Sequence, residues 1–266
     1  MVSENWKKIS QAQLHKHHKT STKLDDTTNT GASSGASLWF DVKPEDLDRS
    51  QREKNQHLKP LDLFPGDSSS STKKDSHGKY VAVDCEMVGI GPDGRDSALA
   101  RISLVNWHGQ VLYDTFVQPN MAITDYRTGV SGVTAALLKD APDFGSVQGH
   151  VAQLLHGKVL VGHALKNDLR VLMLGHPRRD TRDTSKYRPF RRLSRGKNPA
   201  LRNLAAHFLG ITIQKGSHDS ADDARVAMLL YRKFKDEWEN YLFRQEGKVF
   251  KQLRKEKKRK SNIKSA

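Results

Sequence analysis

The sequence predicts an α/β domain: a mixed sheet, with three antiparallel strands plus parallel strands, flanked by helices. Three observations lead there. Three short β-rich runs joined by tight connections begin at Lys79. Helical periodicities then alternate with further isolated strands. Polar sequence rich in Ser, Thr and Lys precedes this region, and a basic run follows it.

The elements follow in order. A first strand is expected at about 79–86, a second at 99–107 and a third at 111–118, with Trp107–Gln110 as the turn between the last two. Such spacing makes an antiparallel meander. Residues 119–131 read as a loop, and 133–138 and 144–156 as short helices. Lys158–Gly162 is a fourth, buried strand, Ala164–Leu174 a helix, and 179–184 a weak fifth strand. Pro199–Leu209 reads as a helix, with Asn198 as cap, Pro199 at its first position and Gly210 at its end. The last helix starts after His218, capped by Asp219 or Ser220, and runs to about 243. Domain organisation is expected as a mostly disordered extension (1–78), a folded domain (79–234) and a basic helix end and tail (235–266). Trp6 and Leu38–Val42 are local exceptions in the first segment.

Composition narrows the function classes. Mean hydropathy is −0.70, and no apolar run nears the ~20 residues that span a bilayer. No secretory signal opens the chain, and Cys85 is its one cysteine, so a reducing compartment is expected. Net charge is +15. Residues 178–202 hold 10 basic and 2 acidic residues, and 235–266 hold 11 and 5. Charge clustered this way favours a polyanion such as nucleic acid; a solvated basic surface is the alternative.

The chemistry starts in the first strand. Strand side chains alternate faces, so Asp84 and Glu86 share one face and Val81, Val83 and Cys85 the other. Two carboxylates this close repel unless cations lie between them. For this strand alone, an exposed edge carrying two acids competes. Asp168 falls early in the helix after the fourth strand, which can carry it toward the carboxylate face; capping a surface helix is the alternative. His218 lies on the loop before the last helix, and Asp223 in about its first turn. Asp219, Asp222 and Asp223 all favour a helix N-terminus, so at least two of them are expected to be structural.

Together Asp84, Glu86, Asp168, Asp223 and His218 form a coherent set. Hard oxygen ligands, with no second cysteine and no paired-histidine motif, favour two Mg²⁺ (or Mn²⁺) ions over Zn²⁺. Two such ions about 3.5–4 Å apart suit in-line attack on a phosphodiester. His218, with an ordinary pKa near ~6.5, can take the proton from the attacking water.

Val83–Met87, His163–Asp168 and His218–Asp223 resemble the three exonuclease motifs of the DEDD superfamily. The histidine five residues before the last aspartate resembles the DEDDh branch. The resemblance covers about 79–234. It implies a ribonuclease H-like fold and 3′→5′ removal of nucleoside monophosphates, with Asp84, Glu86, Asp168 and Asp223 binding two metals and His218 as base. Tyr80–Gly89, Ala100–Asn106, Asp125–Gly132, Val161–Leu172 and Arg182–Tyr187, with Trp39–Asp41, are similar to the RNA exonuclease 4 family. That likeness implies RNA with a single-stranded 3′ end, ribosomal RNA precursor processing and a nuclear, nucleolar address. It also implies Met87 against the terminal nucleotide. Arg191 and Arg192 are expected to guide the incoming strand, with Tyr187 and Phe190 either stacking on bases or anchoring the core. The basic run Arg254–Lys260 is expected as a nuclear-localisation or RNA-contacting tail. A DNA exonuclease, and a catalytically idle RNA-binding ribosome-assembly factor, stay open beside this reading.

Overall fold

A computed structural model describes residues 54–64, 78–245 and 247. Trp6, Leu38–Val42, Asp67–Thr72 and Arg254–Lys260 lie outside the described residues. Six strands form one mixed sheet: β1 (Tyr80–Ile90), β2 (Asp96–Asn106), β3 (Val111–Phe116), β4 (Ile123–Asp125), β5 (Val159–Gly162) and β6 (Thr181–Asp183). The order is β3-β2-β1-β5-β6, with β4 also paired to β1. β1, β2 and β3 pair antiparallel, while β5 and β6 join in parallel.

The meander forms where it was expected. Asn106 organises its second turn, its side-chain oxygen accepting from the His108 and Gln110 backbone N–H groups at 2.9 and 3.0 Å. β1 runs beyond its expected end near residue 86, because Val88 finds a third small core with Ala100 and Val133. Its register shifts between Glu86 and Met87, the signature of a bulge. Residues 119–131, expected as loop, contain β4 and a helical turn, Thr128–Ser131. A three-residue strand is too short to carry a readable alternation.

Helices cover both faces of the sheet, among them α1 (Phe144–Leu155), α2 (Lys166–Val171), α3 (Arg188–Arg192), α4 (Leu201–Leu204) and α5 (Ser220–Lys233). Alternation along the strands splits the core in two. Val81, Val83, Cys85 and Ile102 pack with Val147 and Val151 of α1 and with Leu165 and Leu172 around α2. On the opposite face, Ala82, Val105 and Val161 meet α4, α5 and Phe190.

Three helix ends differ from expectation. α4 starts at Leu201, with Ala200 and not Asn198 at its cap, and passes into a π-helical turn, Ala205–Leu209. Gly210 does close that element, at φ 72. α2 is shorter than expected, because Ala164 takes φ 57 and cannot be helical. The last helix breaks at Phe234 and resumes over 235–245. Trp238 beyond the break lies in the core, stacked on Tyr187 with ring centroids 4.0 Å apart. Tyr187 and Phe190 are 3% and 0% exposed, so they anchor the core and present no face to a base.

Candidate active site

The site is built on an interruption in the sheet. Along one edge β1 pairs with β2 throughout. Along its other edge it pairs with β5 only at Tyr80–Ala82 and with β4 only at Gly89 and Ile90. Between these points the edge is open, and Asp84, Cys85 and Glu86 lie in that gap. Gly162, which ends β5, allows the chain to turn there: a Cβ on it would sit 2.3 Å from Leu165 Cδ2 and 3.0 Å from the Val83 carbonyl. The turn leads directly into α2. Asp168, 4% exposed, fills the gap, and its carboxylate accepts hydrogen bonds from the Cys85 thiol and backbone N–H.

The last helix arrives from the other side. Directly paired residues of antiparallel strands share a face. Ser103 pairs with Asp84 and Arg101 with Glu86, so both stand on the acid face. Ser103 Oγ lies 2.6 Å from Ser220 Oγ at the start of α5. Arg101 grips Asp114 with two hydrogen bonds, at 2.9 and 2.8 Å, and reaches Asp219 at 3.3 Å. These contacts fix the first turn of α5 over β1. Asp219 caps that turn, accepting from the Asp222 N–H at 3.0 Å. Asp222 turns aside to Arg225 at 2.8 Å. Asp223, 4% exposed, faces inward and accepts from Gln214 Nε2 at 2.7 Å. His218 is tied at its backbone to the Val130 carbonyl at 2.7 Å, with Nδ1 3.7 Å from Asp223 Oδ2.

The electrostatics record how close these groups stand. Burial raises the Asp84 carboxyl well above the usual range, and Asp168, Asp223, Glu86 and Asp219 add repulsion. Burial first, then Asp223, pushes Glu86 up to about 8, with Arg101 opposing. Asp168 rises to about 7 and Asp223 to about 6, both chiefly by burial. His218 is lowered by burial and by Arg202, which favours its neutral form. The Cys85 thiol is pushed up by burial and the adjacent acids, and so is held protonated and unreactive.

Whether cations fit here can be judged from the acids themselves. Glu86 Oε1 is buried and has no hydrogen-bond partner among the described residues. A buried orphan acceptor is costly, and a positive ligand removes that cost. The donors are all carboxylate oxygens, the set suited to Mg²⁺ or Mn²⁺. Among the described residues no three such side chains already converge on a common point, so closing on an ion requires side-chain adjustment.

Other expected contacts sit elsewhere. Met87 is half-buried and packs toward the Val81–Val83 side of the core. Arg191 and Arg192 are exposed on α3, and the Arg191 guanidinium bonds the Gly196 carbonyl of its own loop. Sequence reasoning missed Arg101, Ser103, Asp114 and Gln214. Each acts through a partner distant in sequence, so no local pattern marks it. It also missed residues 56–60, which line a cleft with Gln214, Asp219 and Asp223.

A helix-flanked mixed sheet whose first strand, α2 and α5 gather four acids and a histidine defines an exonuclease of the DEDDh type, with a ribonuclease H-like fold. A family model described as exonuclease (RNase_T) matches residues 81–231, and the chain belongs to that family. Its relatives include proteins named RNA exonuclease 4. One from Debaryomyces hansenii is 39% identical over 265 residues, covering 93% of this chain and 97% of its own. One from Cryptococcus neoformans var. neoformans is 52% identical over 180 residues, covering 68% of this chain but only 44% of its own. This chain therefore spans less than half of the latter relative. Among solved structures, the Saccharomyces cerevisiae Pan2 pseudoubiquitin hydrolase-RNA exonuclease module in complex with A7 RNA matches with TM-score 0.55 and 30% identity. That match covers 70% of this chain and 33% of the other.

Proposed function

We propose that this protein is a metal-dependent 3′→5′ exoribonuclease that removes nucleoside monophosphates from a single-stranded 3′ end. The observation that carries this reading is the gathering of Asp84, Glu86, Asp168 and Asp223 around a gap in the sheet, with Glu86 Oε1 buried and unpartnered. Clustered carboxylates with raised pKa values destabilise a fold unless protons or cations lie among them, and they mark functional sites. The four acids would hold two Mg²⁺ or Mn²⁺ ions. Bound there, such ions would lower the pKa of an attacking water and neutralise charge on the leaving 3′-oxygen. His218 is neutral at physiological pH and accepts the proton from that water. Its backbone bond to Val130 holds the loop in place while the ring stays one-third exposed to the substrate side. Arg101 holds the start of α5 against β2 and thereby sets the separation of Glu86 from Asp223.

The names of the relatives and the RNA-bound Pan2 module support RNA as substrate. Ribosomal RNA precursors as the natural substrate and a nucleolar address complete the proposal. The test uses 5′-labelled single-stranded RNA and matched DNA with Mg²⁺, with EDTA and Asp84→Asn as controls. A one-nucleotide ladder on RNA, lost in both controls, is expected. Internal cleavage, or no digestion with Mg²⁺ or Mn²⁺, overturns the reading; an equal ladder on DNA overturns the RNA assignment.

A further inference from the structure

A second groove lies on the other side of α2. It has a volume of about 760 Å³ and follows the edge strand β6, between α2 and the helical segment 235–245. Five cations line it, Lys166, Arg170, Arg178, Lys186 and Arg188, against one carboxylate, Asp183. All five are exposed. Lys186 pairs with Asp183 at 3.1 Å. Lys166, Arg170, Arg178 and Arg188 have no carboxylate partner among the described residues. Leu174, Tyr241 and Leu242 contribute half-buried apolar surface to the same groove.

Four cations from three elements, without a carboxylate partner among the described residues and held around an apolar floor, make a surface for a polyanion that also has flat apolar faces. Single-stranded nucleic acid has both, with phosphates for the cations and ribose and base for the floor. An acidic protein segment would satisfy the cations but leaves the aromatic and leucine floor without a specific role. Position argues the same way. Asp168 projects from α2 into the acid cluster, while Lys166 and Arg170 of the same helix line the groove. The two sites are thus separated by about one helix diameter, ~10–12 Å. At ~3.4 Å per stacked nucleotide, that is roughly three nucleotides.

We propose that this groove is a second RNA-binding site, which holds the body of a single strand three or more nucleotides upstream of the 3′ end being removed. The proposal rests on the exoribonuclease reading for its substrate class. It assigns part of the basic stretch 178–202 a role and extends it to Lys166 and Arg170, which lie outside that stretch.

The test compares the full chain with Arg170→Glu/Arg178→Glu/Arg188→Glu on a 3-mer and a 20-mer of single-stranded RNA. Binding is read by fluorescence anisotropy from 50 to 200 mM salt, and turnover by release of mononucleotide. The variant is expected to bind the 20-mer more weakly. The slope of log K against log salt should fall by about 2, from ~0.7 per phosphate contact on a single strand. Turnover of the 3-mer, too short to reach the groove, should be unchanged. An unchanged 20-mer Kd and salt slope overturns the proposal. Equal loss on both lengths also overturns it, because the groove would then act only through the catalytic site. If the reversal variant melts early, the Gln variant at the same three positions gives the same readouts with the side-chain length kept. If the wild-type protein digests neither RNA, the exoribonuclease reading fails, while 20-mer anisotropy still decides the groove.

Discussion

Without cations the acid cluster should make this protein less stable as pH rises, opposite to the usual behaviour of carboxylates in salt bridges. Glu86, Asp168 and Asp223 have folded-state values of about 8, 7 and 6, against ordinary values of 4.5, 3.8 and 3.8. Each therefore binds its proton more tightly folded than unfolded. Where the folded state binds more protons, unfolding free energy falls with pH. The contribution is fully present below about pH 4 and is lost as pH passes through about 6, 7 and 8. Asp114 and Glu239 shift downward, chiefly through Arg101 and Arg182 acting against burial, and so act below pH 4, outside this window. For Asp223 alone, with a side chain 5% exposed, the rise from 3.8 to about 6 corresponds to about 3 kcal/mol. In a domain of this size that is a fall of roughly 6–12 °C in Tm. Divalent cations that bind the ionised acids of the folded state alone should restore stability, by about 2.7 kcal/mol at 100 times Kd. The assay is thermal melting from pH 4 to 8.5, in EDTA and in Mn²⁺. Tm should fall with pH in EDTA, and the gain from Mn²⁺ should be larger at pH 8.5. A Tm independent of pH in EDTA, or an equal Mn²⁺ gain at both ends, would refute the electrostatic argument.

Three further outcomes are expected. Asp84→Asn should abolish nucleotide release, by 10³-fold or more, yet raise the Tm measured in EDTA, because it removes the charge at the centre of the repulsion; a lowered Tm would count against that arrangement. Phe190→Ala should cost about 3–5 kcal/mol in denaturant unfolding, since Phe190 is fully buried among Phe208, Phe234 and Trp238. RNA affinity per folded molecule should be unaffected. Arg182→Ala should cost about 2 kcal/mol, because it breaks the paired bonds to Glu239 at 2.6 and 2.8 Å that join β6 to the helix beyond Phe234. Urea unfolding reads this, and Glu239→Gln in the Arg182→Ala background should recover part of it by removing the uncompensated charge.

Local chemistry made much of this protein legible. Alternation along β1 put Asp84 and Glu86 on one face, and the pairing to Ser103 and Arg101 agrees with it. Turn residues marked the meander, and Asp219 was readable as one of two candidate caps for α5. These features depend on neighbours within a few residues, so the sequence carries them directly. Other features needed the assembled fold. The roles of Tyr187 and Phe190 were open in the sequence, because an aromatic amid arginines has the same local pattern in a core or on a surface. Packing against Trp238, some fifty residues on, decides it. The start of α4 was misjudged because Asn198 and Pro199 make a sound cap locally, and burial of Pro199 outweighs it.

The sequence by itself determined which groups are candidates to carry chemistry here: two acids on one strand face, an aspartate early in a following helix, and a histidine five residues before another aspartate. Side-chain type and short-range periodicity suffice for that. Only the tertiary structure decided how they meet. The gap in β1's pairing, Asp168 filling it, and Arg101 and Ser103 docking α5 all join residues tens of positions apart. Contacts at that range are set by which faces pack together, and no stretch of chain encodes them alone.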